Sequence, residues 1–153
     1  MKKKIWIISI SLLIIDQITK FVAAKYLQIQ GNNNVQIIKE KLMLTYVENK
    51  GAAWGKFSDM FLILILLSIV FLIFLIKYMD SFKENIRNTI SFSFLFAGVC
   101  GNLIDRSFWG FVRDFINLNI FGYNFPVFNI ADCLIVIGTC LLIISILKGD
   151  DKK

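Results

Sequence analysis

Residues 98–115 read G-V-C-G-N-L-I-D-R-S-F-W-G-F-V-R-D-F, and residues 126–132 read P-V-F-N-I-A-D. Both pieces adjoin segments apolar enough to lie in lipid, yet they carry four ionisable groups that bear on the fold: Asp105, Arg106, Asp114 and Asp132. A charge at the centre of a membrane helix costs about 2.5–3.5 kcal/mol on insertion scales and more in simulations. Charged residues in such a setting therefore indicate a functional site.

Two of these acids suit one kind of chemistry. Asp114 lies between Val112 and Phe115, and Asp132 opens the last apolar run, so a loop folding back onto that helix would bring the two carboxyls together. Two carboxylates a few Å apart do not both ionise readily, and a shared proton leaves one as a base and the other as an acid near neutral pH. Such a pair can activate water against a peptide bond.

The composition predicts an integral membrane protein of one domain, residues 1–153. Hydrophobic residues make up 57% of the chain, against roughly 45–50% in soluble domains. We expect a mainly α fold whose transmembrane helices, each near the about 20 residues that a bilayer requires, cover 5–24, 60–76, 88–104 and 130–147. The lysines at the start resemble a signal peptide, but no small-residue cleavage site follows, so we expect the first helix to be kept.

Basic residues predict the orientation. Four spans would put both lysine-bearing termini on the cytoplasmic side, with a modest excess of Lys and Arg there. The outer loops would then be 28–57 and 107–128, and the site would lie near the outer face. The formal net charge of +6 fits this topology and an attraction to anionic lipid. No basic stripe with interleaved aromatics points to nucleic acid.

Several kinds of site are excluded by residue type. Because the chain has no histidine, a Ser-His-Asp triad, a Cys-His pair and a His-ligated zinc site are impossible. The three cysteines, Cys100, Cys133 and Cys140, lie inside apolar runs without C-x-x-C spacing. They are interpreted as buried free thiols rather than as disulfides or metal ligands. The residues therefore indicate no His-ligated or Cys-ligated metal site.

The first outer loop has β-strand character. Residues 35–38 and 42–47 are short β-prone runs, which predicts a small sheet on the membrane surface. The loop ends in E-N-K-G-A-A-W-G at 48–55, whose small residues and tryptophan suit a segment that dips into the interface.

Each candidate residue also has a simpler structural explanation. Asn129 and Asp132 have the spacing of a helix cap. Asp16 and Lys20 are one helical turn apart and form a potential ion pair, for which we favour a structural role. Arg106 could extend towards lipid headgroups. The coincidence of these groups at one predicted membrane face favours catalysis over the separate explanations.

Five motifs in the chain, taken in order, resemble the signature of lipoprotein signal peptidase (signal peptidase II), a family of bacterial membrane aspartyl peptidases. They are D-Q-I-T-K at 16–20, N-K-G-A-A-W at 49–54, G-N-L-I-D-R at 101–106, V-R-D-F at 112–115 and F-N-I-A-D at 128–132. The resemblance covers all four predicted spans in order, so it is more specific than any single motif.

The resemblance implies roles at matching positions. Asp114 and Asp132 would be the catalytic pair, cleaving before a diacylglyceryl-modified cysteine in a prolipoprotein signal peptide. Substrate-binding or dyad-supporting positions would be Asn49, Gly51, Asn102, Arg106 and Asn129, and the supporting ion pair would be Asp16 with Lys20. It also implies four transmembrane helices, an extracytoplasmic β-rich cradle, no cofactor, and a place in the bacterial cytoplasmic membrane. We further expect a monomer whose partners are substrate and membrane lipid.

Two positions depart from the pattern. Arg113 stands before the first aspartate, where an uncharged residue is commoner, and we expect it to point outward to lipid phosphate. Cys133 stands where a hydroxyl residue is frequent.

Two other function classes stay open on the residues alone. In a small transporter or ion pathway, Asp16, Lys20, Asp114 and Asp132 would relay protons or cations across the membrane. The gathering of polar groups at one end argues against it. A non-catalytic scaffold would need no paired carboxylates.

Overall fold

The computed structural model describes residues 1–28, 35–51 and 61–151. Helix α1 spans Lys2–Ala23 and continues as a π-helical turn over Ala24–Gln28. The other helices are α2, Phe61–Tyr78, with a 3₁₀ turn at Met79–Ser81, then α3, Ile86–Trp109, and α4, Ile130–Leu147. The strands are β1, Val35–Ile38, β2, Leu42–Asn49, β3, Val112–Ile120, and β4, Tyr123–Asn124.

Within the described residues, three helices are long and apolar enough to cross a membrane: Lys2–Leu27, Phe61–Ser81 and Ile130–Leu147. The span predicted at 88–104 is a helix, α3, but it is not one of these three. The reason lies in its polar residues, which are buried in the bundle: the Ser91 hydroxyl donates to the Gly138 carbonyl at 2.8 Å. The fold is mainly helical, with a small antiparallel sheet.

Helix α3 is the central element and packs against α1, α2 and α4. It begins at Asn85, whose side chain accepts a hydrogen bond from the Asn88 backbone N–H at 2.8 Å. It ends at Gly110, whose positive φ of 78° is a left-handed conformation that glycine adopts without strain. The chain therefore turns directly from α3 into β3.

Close packing of α3 on α4 and α1 depends on small residues. A Cβ atom on Gly98 would lie 2.5 Å from the Ala131 carbonyl oxygen and 2.8 Å from Ile135 Cγ1. On Gly101 it would lie 2.5 Å from an Asp16 carboxylate oxygen. Two neighbouring helices therefore occupy space that these glycines leave open.

The strands form one antiparallel sheet in the order β1-β2-β3-β4. The predicted strands at 35–38 and 42–47 are confirmed. β3 and β4 fall inside 107–128, which was predicted to be an outer loop. Residues 52–60, which include most of the predicted interfacial segment and the first residue of the 60–76 span, lie outside the described residues, as do 29–34.

Backbone hydrogen bonds tie the segment before α4 to the sheet. The Ile116 N–H donates to the Phe128 carbonyl at 2.8 Å, and the Phe128 N–H donates back at 3.0 Å. This pairing holds the start of α4 beside β3. Asp114 and Asp132 are brought to the same region by it.

The prediction that the cysteines are free thiols is confirmed. Their predicted burial is wrong for Cys140, which is exposed, while Cys100 and Cys133 are half-buried. Helix α4 turns its Cys140 side outward, where an apolar residue can face lipid.

Replacing Gly98 with Ala should destabilise the bundle. The added methyl group has no space between α3 and α4, and overpacking of this kind costs about 1–3 kcal/mol. Thermal unfolding of the purified protein in detergent would show a lower Tm for Gly98→Ala, whereas Cys140→Ala on the exposed side of α4 should leave it unchanged. Equal Tm values for both variants would contradict the packing explanation.

Candidate active site

A cavity of about 540 Å³ lies between the sheet, the end of α3 and the start of α4. Its polar wall consists of Asn49, Gly51, Asn102, Arg106, Asp114 and Asp132. Its apolar wall includes Val112, Phe125, Pro126, Val127, Phe128, Cys133, Val136 and Ile137. Six residues predicted as site residues therefore face one space, and Asn129 lies fully buried behind it.

Asp114 projects from β3 and is 1% exposed. One of its carboxyl oxygens accepts a hydrogen bond from Asn129 Nδ2 at 2.6 Å, and the other accepts from Asn49 Nδ2 at 2.9 Å. Asn49 is itself oriented, because its side-chain oxygen accepts from the Gly51 N–H at 3.0 Å. The carboxyl group of Asp114 is thus fixed from two sides.

Asp132 is held at the first turn of α4. Its Oδ2 accepts from the Asn129 N–H at 3.1 Å, while the Asn129 side-chain oxygen accepts from the Asp132 N–H at 3.0 Å. This is the capping box that the spacing allows. The Oδ1 atom accepts from Asn102 Nδ2 at 2.8 Å. Capping and facing the cavity are therefore compatible roles for this carboxyl.

Asn129 connects the two acids, since its side chain binds Asp114 and its backbone binds Asp132. Burial and, to a lesser extent, the negative charge of Asp132 together raise the pKa of Asp114 to about 7, although the amides of Asn49 and Asn129 oppose the shift. A buried acid beside a second carboxyl holds its proton into the neutral range. The arrangement can supply a proton donor and a proton acceptor at one place.

A buried ion group lies directly behind the cavity. Asp16 and Lys20 are both 0% exposed, and the Lys20 ammonium lies 3.0 Å from an Asp16 oxygen. It also donates to Asn102 Oδ1 at 2.9 Å and lies 3.6 Å from Asp105. The other Asp16 oxygen accepts from the Ala131 N–H at 2.9 Å, in the first turn of α4. The pair thereby connects α1 to both α3 and α4.

The outward orientation expected for Arg113 is wrong. This residue is 6% exposed, and its Nη2 lies 2.7 Å from Asp105 Oδ1. The reason is the alternation of side chains along β3: with Asp114 facing the cavity, Arg113 faces the other side of the strand, where the Asp105 carboxylate lies.

Arg106 lies at the cavity wall and is half-buried. Its Nη1 lies 3.5 Å from the Asn102 carbonyl oxygen, one turn earlier in α3. The guanidinium therefore faces the same space as the two carboxyls rather than extending to headgroups alone.

Within residues 1–28, 35–51 and 61–151, no group of three or more His, Cys, Asp or Glu side chains has the proximity needed to hold a metal ion. The site consists of carboxyl, amide and guanidinium groups.

The comparisons identify the family of the chain. A family model described as signal peptidase (SPase) II matches residues 8–148. The chain belongs to the signal peptidase II family. The predicted resemblance is confirmed, and the cavity described above lies in a member of a peptidase family. Together with the apolar helices, membership of the family indicates a bacterial membrane protein.

Named relatives agree along the whole chain. The lipoprotein signal peptidase of Staphylococcus haemolyticus (strain JCSC1435) is 41% identical over 159 aligned residues, which cover 100% of this chain and 99% of the relative. The lipoprotein signal peptidase of Staphylococcus aureus (strain bovine RF122 / ET3-1) is 39% identical over 148 aligned residues, which cover 96% of this chain and 90% of the relative. A solved structure described as a bacterial membrane enzyme determined by the in meso method superposes with a TM-score of 0.81 at 38% identity, covering 97% of this chain and 91% of the other.

Three residues behind the cavity are not among the predicted site residues: Gln17, Asp105 and Arg113. Gln17 donates to Asp105 at 3.2 Å and accepts from Arg113 at 2.9 Å. A strand pattern at 112–120 would have placed Arg113 and Asp114 on opposite faces. Gln17 leaves no local signal, because its partners Asp105 and Arg113 lie 88 and 96 residues away in the chain.

Replacing Lys20 with Met should destabilise the protein strongly. It would leave Asp16 and Asp105 buried with one cation, Arg113, and stranding a buried charge typically costs about 3–5 kcal/mol. Unfolding in detergent would measure the loss. Lys2→Met is the matched control, because it removes only the exposed Lys2–Asp80 pair, worth about 0–1 kcal/mol. Similar losses for both variants would refute the importance of the buried group.

Proposed function

We propose that this chain is an aspartyl endopeptidase that removes the signal peptide from diacylglyceryl-modified prolipoproteins by cutting before the lipidated cysteine. The family and the relatives named lipoprotein signal peptidase support the substrate class. The observation that carries the proposal is that Asp114 and Asp132 face one cavity, with Asn129 bonded to both.

In the proposed reaction, a water molecule lies between the two carboxyls. The water oxygen attacks the scissile carbonyl carbon while Asp132 takes a proton from the water. Asp114 gives its own proton to the carbonyl oxygen. The tetrahedral intermediate then collapses: the C–N bond breaks, the departing amine takes the proton from Asp132, and one hydroxyl of the intermediate returns a proton to Asp114, which restores the dyad. The raised pKa of Asp114 is the reason for assigning it the acid role in the first step.

Arg106 and the amides supply the charge stabilisation in this proposal. The Arg106 guanidinium faces the cavity, where it can stabilise negative charge as the intermediate forms. The main role of Asn49, Asn102 and Asn129 in this proposal is to hold the two carboxyls in place, not to bind substrate. Gly51 lines the cavity without a side chain, leaving room for a substrate backbone.

The apolar wall suits a lipid-modified substrate. Val136 and Ile137 of α4 and Phe128 before it are on the wall that continues from Asp132. Acyl chains of a substrate that diffuses in the bilayer would contact these side chains, and membrane lipid would occupy the same surface between turnovers.

The membrane arrangement belongs to the same proposal. Helix α3, at 24 residues, would be roughly 36 Å long at 1.5 Å per residue, which exceeds the about 30 Å of a bilayer core. We therefore add α3 to the other three spans, which gives four. They belong to a single domain, residues 1–153, that works as a monomer in the cytoplasmic membrane. Both termini would be cytoplasmic, and the cavity would open near the outer face.

An ion pathway across the membrane fits this arrangement less well. Asp16 and Lys20 pair with each other behind the cavity, at the end of the bundle that carries the sheet. Charge therefore gathers at one end instead of spreading through the depth of the bundle. Proton or solute flux through reconstituted vesicles, without cleavage of a lipid-modified peptide, would favour the transporter.

Replacing Asp114 or Asp132 with Asn should abolish cleavage. General acid–base catalysis by such a group contributes about 10²–10⁴-fold, so the rate on a diacylglyceryl-modified peptide should fall by at least that factor. Asp80→Asn, on the exposed partner of Lys2, is the control and should retain activity. A folded Asp114→Asn or Asp132→Asn variant, with the Tm of the parent, that still cleaves at a near-normal rate would end the dyad proposal.

The activity should depend on the proton of Asp114. Since its pKa is raised to about 7, the protonated form persists up to that pH, and kcat/KM should fall about tenfold per pH unit above it. Asn49 lowers this pKa by donating to the carboxyl, so Asn49→Ala should move the alkaline limb to higher pH. Asn117→Ala, which removes a β3 amide bonded to Thr45 instead, should leave the limb in place. A limb that shifts to lower pH in Asn49→Ala would contradict the assignment.

A further inference from the structure

The two faces of the β2–β3 pair border different spaces. Asn49 and Asp114 face the candidate active site. On the opposite face, Arg113 borders a second cavity of about 540 Å³, together with Tyr46, Glu48 and Trp109. Arg113 therefore points to the opposite face of β3 from its neighbour Asp114 and lies outside the active-site cavity.

Arg113 is held by a set of directional contacts. Its Nη2 donates to Asp105 Oδ1 at 2.7 Å, and its Nε donates to Asp105 Oδ2 at 3.2 Å, which is a two-point fork. Nη2 also donates to Gln17 Oε1 at 2.9 Å, and the guanidinium carbon lies 5.6 Å from the centre of the Trp109 ring. The backbone N–H of Arg113 adds a bond to Asp105 Oδ2 at 2.9 Å. The strand is thus attached to α3 and α1 immediately beside Asp114.

One turn of α3 contacts both the strand that carries Asp114 and the carboxyl of Asp132. Asn102 binds Asp132 of α4, and Asp105, three residues later in the same helix, binds Arg113 of β3. Residues three apart lie on the same face of a helix. Besides the direct contacts of Asn129, the relative position of Asp114 and Asp132 therefore depends on two contacts from one face of α3.

Charge balance alone does not require arginine at this position. Without Arg113, Asp16 and Asp105 would share the single Lys20 ammonium at 3.0 and 3.6 Å, so a cation is needed here, but a lysine would supply it as well. The ammonium of a lysine at 113 would keep the charge, but it has no planar fork to span both oxygens of Asp105 and reach Gln17. What arginine adds is the geometry of the attachment.

We propose that Arg113 is a positioning residue for the dyad: its fork on Asp105 fixes β3 against α3 and thereby sets where the Asp114 carboxyl lies relative to Asp132. This inference rests on the proposed function. Displacement of a reacting group by about 1 Å can cost on the order of 10²-fold in rate. Loss of the fork should therefore reduce turnover more than it reduces substrate binding, which depends on the opposite face.

The test compares four variants of the full chain in detergent, using a diacylglyceryl-modified prolipoprotein peptide as substrate. They are Arg113→Met, Arg113→Lys, the double variant Asp105→Asn with Arg113→Met, and Lys2→Met as an exposed control. The double variant removes one buried charge of each sign, so Asp16 and Lys20 remain a balanced pair. For each variant, Tm, kcat and KM are measured.

We expect kcat to fall at least about tenfold in Arg113→Met, with KM within about twofold of the parent value. In the double variant Tm should recover towards that of the parent while kcat stays low. Arg113→Lys should keep most of the Tm and still lose most of kcat. Lys2→Met should change neither kcat nor KM.

Recovery of kcat together with Tm in the double variant would overturn the proposal, since it would show that Arg113 only neutralises Asp105. Parental kcat in Arg113→Lys would also overturn it, because the fork would then be unnecessary. Including Asp114→Asn in the same assay separates the two levels. An active Asp114→Asn protein refutes the proposed function itself, whereas an inactive one beside a fully active Arg113→Met protein refutes only the positioning role. If Arg113→Met does not fold, the lysine and double variants decide the outcome.

Discussion

The buried ammonium of Lys20 determines how the polar groups of the candidate site are oriented. A side-chain amide has an accepting end and a donating end, whereas an ammonium group only donates. Lys20 lies 2.9 Å from Asn102 Oδ1, so the NH₂ group of Asn102 is directed to Asp132, which it reaches at 2.8 Å. The same Asn102 oxygen accepts from Asn129 at 3.3 Å. One cation thus fixes the donor direction of Asn102 and, through the Asn102 oxygen, that of Asn129, which are two of the three amides that hold the carboxyl pair.

Burying such a cation requires space as well as partners. An unpaired ammonium in a low-dielectric interior is very costly, and Lys20 has Asp16 and Asp105 within 3.0 and 3.6 Å. Asp16 in turn occupies the volume that a side chain at Gly101 would fill, 2.5 Å from the Cβ position. The glycine in α3 is therefore part of the electrostatic arrangement. A larger residue there would displace the acid that compensates the cation.

Sequence patterns were sufficient for features that depend on local periodicity. They predicted the helices and the first two strands. The inward position of Arg113 was not predicted, because it follows only once 112–120 is known to be a strand with Asp114 on the cavity face and Asp105 behind it. Nor could composition show that α3 buries polar side chains among its neighbours. Interactions between residues distant in the chain decide both points.

The charges around the cavity also explain why a proton shared by the dyad is reasonable. Behind the cavity, Asp16, Lys20, Asp105 and Arg113 form a group of two acids and two bases, whose opposite charges largely cancel at a distance. Among the described residues that line the cavity, two carboxyls stand with one cation, Arg106. A dyad with one proton carries a single negative charge, which this arginine balances. The raised pKa of Asp114 is thus consistent with the charge balance as well as with its burial.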